Sequence, residues 1–168
     1  MAKGREIRCY DYVNHPYERV RDALSGDARA VFGAATRAAS SRAETVAAQL
    51  RVNIAGLEVA KDIAIQVRGI EEEARGSGSA PITRLALEWE AADSPRLFPF
   101  MQAELSIYPL TATETQLDLL GRYEPPLGAL GSAMNAIVGH RIAEASVHRF
   151  LGDVARHLRD ELGPPRAP

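Results

Sequence analysis

Apolar and polar residues alternate along several segments of the chain, as they do in strands that bury one face of a sheet. In the first such segment, Ile7, Cys9 and Val13 alternate with charged or aromatic neighbours, although Asp11 interrupts the apolar positions. The alternation predicts a first strand over residues 6–13.

Two short helical patterns follow this strand. Pro16 stands where the first turn of a helix tolerates a missing N–H, and apolar residues recur at helical spacing until Gly26. A second pattern of helical spacing begins near Asp27 and fades at Ser40. We therefore predict two short helices between the first strand and the rest of the sheet.

Alternation returns from Thr45 onward and continues to the end of the last strand. Short polar connections separate the alternating stretches, including a Gly-Ser run at 76–79 and a turn at 93–95. Because such turns join consecutive strands, we expect an antiparallel meander of about five strands. The apolar positions expected on its buried face include Leu50, Val52, Ile54, Ile63, Ile65, Val67, Leu85, Leu87, Trp89, Ala103, Leu105, Ile107, Leu117, Leu119 and Tyr123.

Beyond Pro125 and Pro126 the spacing of apolar residues becomes helical. This change predicts one long helix over about residues 128–162, ended by Gly163 and the prolines that follow it. Its apolar stripe is formed by Leu130, Met134, Ile137, Val138, Ile142 and Ala145, and continues with some drift through Val147, Leu151, Val154, Leu158 and Leu162.

This order of elements predicts an α+β fold of the helix-grip kind. A curved antiparallel sheet of about six to seven strands is expected to wrap around the long C-terminal helix, because that helix alone is long enough to cover the apolar face. We predict one domain over residues 1–163 and a short proline-rich tail at 164–168. A domain of this size buries about 70% of its unfolded surface, so its core needs neither disulfides nor metal.

Composition narrows the range of partners. Lys and Arg number 20 against 22 Asp and Glu, which disfavours nucleic-acid binding through a strong basic field. No stretch approaches the roughly 20 apolar residues that span a bilayer, and no signal-peptide pattern opens the sequence. With Cys9 as its single cysteine, the chain is expected in the reducing cytoplasm. No metal or cofactor is expected, because zinc-ligand spacings and nucleotide-binding glycine motifs are lacking.

Two stretches carry a family resemblance. Residues 119–128, with the sequence Leu-Leu-Gly-Arg-Tyr-Glu-Pro-Pro-Leu-Gly, and residues 140–151 resemble the final strand and helix of small bacterial members of the START-like (SRPBCC) superfamily. This superfamily includes polyketide cyclases, lipid-transfer domains and the birch pollen allergen family. The resemblance extends over residues 6–162. It implies a cavity between sheet and helix that receives a lipid, sterol or polyketide-like molecule, with walls formed by Val52, Ile65, Leu87, Trp89, Leu105, Leu117, Tyr123, Met134 and Ile137.

Two polar residues of the long helix are candidates for chemistry in that cavity. Arg141 falls within the apolar stripe, where its guanidinium would hold a carboxylate or enolate oxygen of a ligand. The alternatives are that it extends to the rim or pairs with a carboxylate of the sheet. His148, four residues after Glu144, would serve as a base next to a carbonyl, or simply pair with Glu144 on the helix surface. Tyr123 places a phenol in the pocket or packs in the core.

Three classes of function follow from these features. The leading one is a protein that binds a small, mostly apolar molecule. The second is an enzyme of the polyketide cyclase or dehydratase type, in which Arg141 or His148 assists enolisation. The third is a protein-interaction domain with a filled core and no ligand. The sequence leaves the oligomeric state and the presence of catalysis open.

Overall fold

The computed structural model describes residues 5–26, 28, 30–33, 63–73, 79–91, 101–123 and 133–164. These residues form the α+β arrangement that the sequence predicts, with a strand and a short helix followed by a meander and a long terminal helix. Residues 28 and 30–33, where the second short helix was expected, are helical. The elements are β1 (Arg5–Val13), α1 (Tyr17–Gly26), β2 (Ile63–Glu73), β3 (Ile82–Ala91), β4 (Met101–Pro109), β5 (Thr115–Tyr123) and α2 (Ala133–Leu162).

The predicted number of strands was too high for the described part of the chain, which contains five strands rather than six to seven. The predicted strand through Val52 and Ile54 lies outside the described residues, as does the expected start of the long helix near Gly128. Within the described residues, every predicted strand pairs with at least one antiparallel neighbour.

The sheet has the strand order β1-β5-β4-β3-β2, and every pair of neighbours is antiparallel. Its register aligns Cys9, Leu119, Leu105 and Leu85 in one row across four strands. Directly opposed residues point to the same face of a sheet, and all four of these side chains are buried. The row defines the inner face of the sheet, and the residues on either side of each member belong to the outer face.

The long helix α2 runs beside β1 and in the same direction. Near its middle, the carbonyl of Val147 accepts a bond from the thiol of Cys9 at 3.9 Å. Further along, Arg159 donates to the carboxylate of Asp11 at 3.0 Å. Asp11, which interrupts the apolar pattern of β1, is therefore one of the residues through which this strand binds the helix. No described helix is long and apolar enough to cross a membrane.

A cluster around His15 fixes the C-terminal end of α2. Gly163 ends the helix in the left-handed region, with φ 73°. The buried His15 ring bonds through Nε2 to the carbonyl of Gly163 at 2.9 Å, while Arg19 lies 3.2 Å from its Nδ1 and donates to the carbonyl of Leu162 at 3.0 Å. Because arginine only donates, Nδ1 accepts and Nε2 carries the proton. The hydroxyl of Thr115 donates to the His15 carbonyl, so the cluster also holds β5.

The thiol of Cys9 is expected to resist modification in the folded protein. Burial raises the pKa of Cys9 from 9.0 to about 12, so little reactive thiolate forms at neutral pH. Maleimide should label the denatured chain rapidly, and it should label the native chain only at the rate at which the protein unfolds around Cys9. Mass spectrometry measures the extent of labelling. Stability should also fall as pH rises above about 9, because the unfolded chain then releases a proton that the folded chain retains. Rapid native labelling would contradict this assignment.

Candidate functional site

The inner face of the sheet contains most of the predicted cavity wall that the structure describes. Leu87, Leu105 and Leu117 are buried there, and Ile65 on β2 is half-buried against the same core. The backbones of three other predicted wall residues lie in β3 and α2, but their side chains are outside the described part of the structure, and Val52 is outside it altogether. These three residues are Trp89, Met134 and Ile137.

The helix lies over one side of this face. Among the described elements, the backbone of α2 comes closest to β1 and less close to β5, while its buried side chains belong to the same core as those of β3 and β4. Strands are spaced about 4.8 Å apart, so β3 lies roughly 14 Å from β1 across the sheet. The apolar face thus continues well beyond the strand that carries the helix.

The far edge of the inner face leaves apolar side chains accessible. Val67 and Ile70 of β2 pair with Leu87 and Leu85, so they continue the same face. Their exposed fractions are 37% and 43%, whereas Leu87 and Leu85 are almost fully buried. A register shift between Val67 and Gly69 marks a bulge at this edge. The apolar surface therefore extends from a buried centre to an accessible rim.

The opposite ends of the inner face differ in character. At one end, a hydrogen bond joins α1 to β3. The hydroxyls of Tyr17 and Thr83, both buried, lie 2.5 Å apart. At the other end, Met101 lies beside Tyr123 across the β4–β5 pair. The Met101 sulfur would lie 2.8 Å from a Cβ placed on Gly121, so a larger residue here would require the flexible Met101 side chain to shift.

A hydrogen-bonded pair of side chains joins the sheet to α2 at this second end. The hydroxyl of Tyr123, the last residue of β5, lies 2.7 Å from Nδ1 of His140. The two rings are stacked, with centroids 6.0 Å apart and an interplanar angle of 16°. Tyr123 is buried and His140 is half-buried. The pair combines a phenol and an imidazole at the margin of an otherwise apolar face.

The surroundings of Tyr123 favour its neutral form. Burial raises the pKa of the Tyr123 phenol, the charge and hydrogen bond of Arg5 oppose this rise, and the weaker effect of the Glu144 carboxylate adds to it. Arg5 and Glu144 are exposed and carry opposite charges. The phenol therefore remains a hydroxyl at neutral pH, able both to donate and to accept a hydrogen bond.

Two predicted candidates for chemistry do not point inward. Arg141 and His148 are both exposed, so neither guanidinium nor imidazole faces the sheet. Val147 marks the buried side of α2, and at 100° per residue Arg141 lies about 120° away from it and His148 about 100° away. The apolar stripe through Met134 and Ile137, in the first half of the helix, predicted that these two side chains face the sheet. That prediction was wrong at positions 141 and 148.

His140 is the functional candidate that sequence reasoning missed. It lies seven residues before Val147, which places it about 20° from the buried side of the helix. The sequence did contain a signal for this position. His140, Val147 and Val154 follow one another at intervals of seven residues, and both valines are buried. Among the described residues, no group of three or more His, Cys, Asp or Glu is arranged to hold a metal ion.

Comparisons with known proteins identify the fold. No protein-family model matches the chain, and no curated protein sequence matches it. The Zhui aromatase/cyclase from Streptomyces sp. R1128 is similar in structure, with a TM-score of 0.51 at 14% identity over 95% of this chain and 96% of that one. A protein from Thermus thermophilus gives a TM-score of 0.50 at 16% identity over 95% and 100%.

A START superfamily protein from Mycobacterium smegmatis covers 90% of this chain and 98% of its own, with a TM-score of 0.39 at 12% identity. At these identities the likeness concerns the fold. The chain has the helix-grip fold that its sequence predicts, and it shares this fold with the Zhui aromatase/cyclase.

Proposed function

We propose that the protein binds a small, mostly apolar molecule between the inner face of the sheet and α2. The observation that carries this proposal is the position of the helix along β1, while the apolar face continues through Leu105 and Leu87 to the accessible Val67 and Ile70. A face far wider than one helix suits an enclosed apolar ligand. Lipids, sterols and polyketide-like molecules are the ligand classes that we propose.

An enzyme of the cyclase or dehydratase type is the second candidate. The pair of Tyr123 and His140 favours it, because a phenol and an imidazole in contact can exchange a proton with a bound carbonyl compound. The similarity in fold to an aromatase/cyclase supports the same candidate. Turnover of a polyketide-like substrate would distinguish an enzyme from a binding protein.

We also propose a cytoplasmic setting, which the free thiol of Cys9 supports.

A ligand panel tests the binding function. At least one fatty acid, sterol or aromatic polyketide should raise the melting temperature, because a ligand at a hundredfold excess over its Kd stabilises the native state by about 2.7 kcal/mol. Native mass spectrometry of the purified protein should show the same class of molecule retained. A panel without any stabilising member, together with a solved structure whose interior is fully packed, would count decisively against binding.

A matched pair of variants separates a ligand cavity from a filled core. Ala103 faces inward between Leu87 and Gly121, whereas Ala86 is exposed on the outer face of β3. If a cavity is present, Ala103→Phe should fold with little loss of stability and abolish the ligand-induced shift in melting temperature, while Ala86→Phe changes neither. If the core is filled, overpacking at Ala103 should cost about 1–3 kcal/mol of unfolding free energy.

A further inference from the structure

We propose that the outer edge of β1 is an interaction surface at which two copies of the chain pair, with residues 5–9 of one strand antiparallel to the same residues of the other. The pairing joins the two sheets across a two-fold axis at Ile7. It goes beyond the proposed ligand site and does not depend on it.

A hydrogen bond at the turn between β4 and β5 shows which backbone groups of β1 face outward. The N–H of Leu110 donates to the carbonyl of Glu114 at 2.8 Å, so the even-numbered residues of β5 bond to β4 and its odd-numbered residues bond to β1. Because β1 aligns Cys9 with Leu119, the odd-numbered residues of β1 bond to β5. The backbone groups of its even-numbered residues therefore point away from the sheet, and these residues are Glu6, Arg8, Tyr10 and Tyr12.

One end of this outward edge is already closed. The N–H of Tyr12 donates to the carboxylate of Asp11 at 2.7 Å, and the carbonyl of Tyr12 accepts from Arg159. Within the described part of the chain, the backbone groups of the three earlier even-numbered residues have no such partner, and their side chains are exposed. An edge with unpaired backbone groups can accept another strand. The available part of the edge is thus the first half of β1.

The course of α2 leaves the same half of the edge uncovered. Nδ1 of His140 lies 2.7 Å from the hydroxyl of Tyr123 on β5, whereas Arg159, five turns later, contacts the backbone and the ring of Tyr12 on β1. The helix therefore crosses from β5 to the edge of β1 as it proceeds. In a pair related by an axis at Ile7, each helix is displaced toward its own β5.

Charge selects the alignment of the two strands. An axis at Ile7 places Glu6 opposite the partner's Arg8, and the two-fold symmetry forms this pair twice. The side chains of Glu6 and Arg8 are 59% and 67% exposed, so both are accessible to a second copy. An axis at Arg8 would oppose two arginines. An axis at Cys9 would need the backbone groups of Tyr12, which already have partners.

The contacts of these charges within one chain leave them able to form the second pair. Asp118 takes two N–H groups of the Arg8 guanidinium, which has five. Glu6 lies 3.8 Å from Arg122, which is too far for a hydrogen bond. Both side chains can therefore bind across the axis without losing a hydrogen bond inside their own chain.

Sedimentation velocity over a range of protein concentrations tests the pairing. The wild-type chain should form a dimer with a Kd between about 10 μM and 1 mM, because an interface limited to one short strand belongs to the weak class. Glu6→Lys should weaken the dimer about tenfold or more, because two attractive pairs become repulsive. Glu72→Lys makes the same change of charge on β2, at the other edge of the described sheet, and should leave the dimer unchanged.

A mixture of two variants tests the alignment. Arg8→Glu alone should also weaken the dimer, because Glu6 then faces a second carboxylate. In an equimolar mixture with Glu6→Lys, each heterodimer contains one lysine–glutamate pair and one native arginine–glutamate pair, so the wild-type affinity should return. Circular dichroism checks that each variant is folded. If the loss of the pair with Asp118 prevents Arg8→Glu from folding, Arg8→Gln takes its place, and the mixture should then regain part of the affinity.

Several results would overturn the proposal. A wild-type chain that stays monomeric at about 1 mM has no such interface. A dimer that persists in Glu6→Lys, or a mixture that dimerises no better than either variant alone, would place the contact elsewhere. Equal weakening by Glu72→Lys would show a general effect of charge and not a property of this edge. Ligand binding is measured separately and is unaffected by any of these outcomes.

Discussion

Replacing Leu119 by alanine is expected to lower the free energy of unfolding by about 2–5 kcal/mol, because Leu119 is fully buried in the row that crosses β1, β5, β4 and β3. The change removes apolar contacts and leaves a cavity between the sheet and its cover. Urea unfolding followed by circular dichroism measures the loss directly.

The next residue along β5 provides the control. Leu120 is 43% exposed on the outer face, so Leu120→Ala should change the unfolding free energy by about 0.5 kcal/mol or less. The two substitutions are chemically identical and adjacent in the chain. Similar losses at both positions would show that the inner and outer faces of β5 have been assigned incorrectly.

Replacing His15 by leucine is expected to cost about 1–3 kcal/mol of unfolding free energy. The ring of His15 is buried, and its two nitrogens bond to the carbonyl of Gly163 and to Arg19. Leucine has a similar volume but no polar atoms, so these partners lose their hydrogen bonds to the ring. Hydrogen exchange should also become faster in the last turn of α2, because the cluster fixes that end of the helix.

His157 supplies the matched control on the same helix. Its side chain is 35% exposed and lies 3.6 Å from the carboxylate of Glu161. Exposed ion pairs contribute little, so His157→Leu should alter stability by about 0.5 kcal/mol or less and leave exchange at the helix end unchanged. If the His15 and His157 variants behaved alike, the cluster at the end of α2 would have no structural role.

The alternation of apolar residues predicted the strands well because it records a local requirement, the burial of one face. It placed Leu87, Leu105 and Leu117 on the inner face, where the structure finds them buried. The same pattern could not explain Asp11, since its partner Arg159 lies far away in the chain. An interruption of an apolar face thus indicated a long-range contact that no local pattern specifies.

The candidate site was harder to predict than the sheet. Apolar residues of a long helix indicate its buried side, but at 100° per residue Ala145, on the predicted stripe, lies about 160° from the buried Val147. The choice of the stripe through Ala145 placed Arg141 inward and overlooked His140, although the two are neighbours in sequence. The contact of His140 with Tyr123 also depends on the position of the helix along β1, which is a property of the packed structure.

The pairing of β1 with β5 has a consequence for the order in which the protein folds. Cys9 of β1 pairs with Leu119 of β5, and its thiol donates to the backbone carbonyl of Val147. During synthesis, the first strand must therefore wait until nearly the whole domain has left the ribosome before it can pair. Contacts of such long sequence separation slow folding and leave apolar edges unpaired in the meantime. Until β5 and α2 have been synthesised, β1 lacks the partners that cover its apolar side chains, and in that interval it is the kind of segment that aggregates.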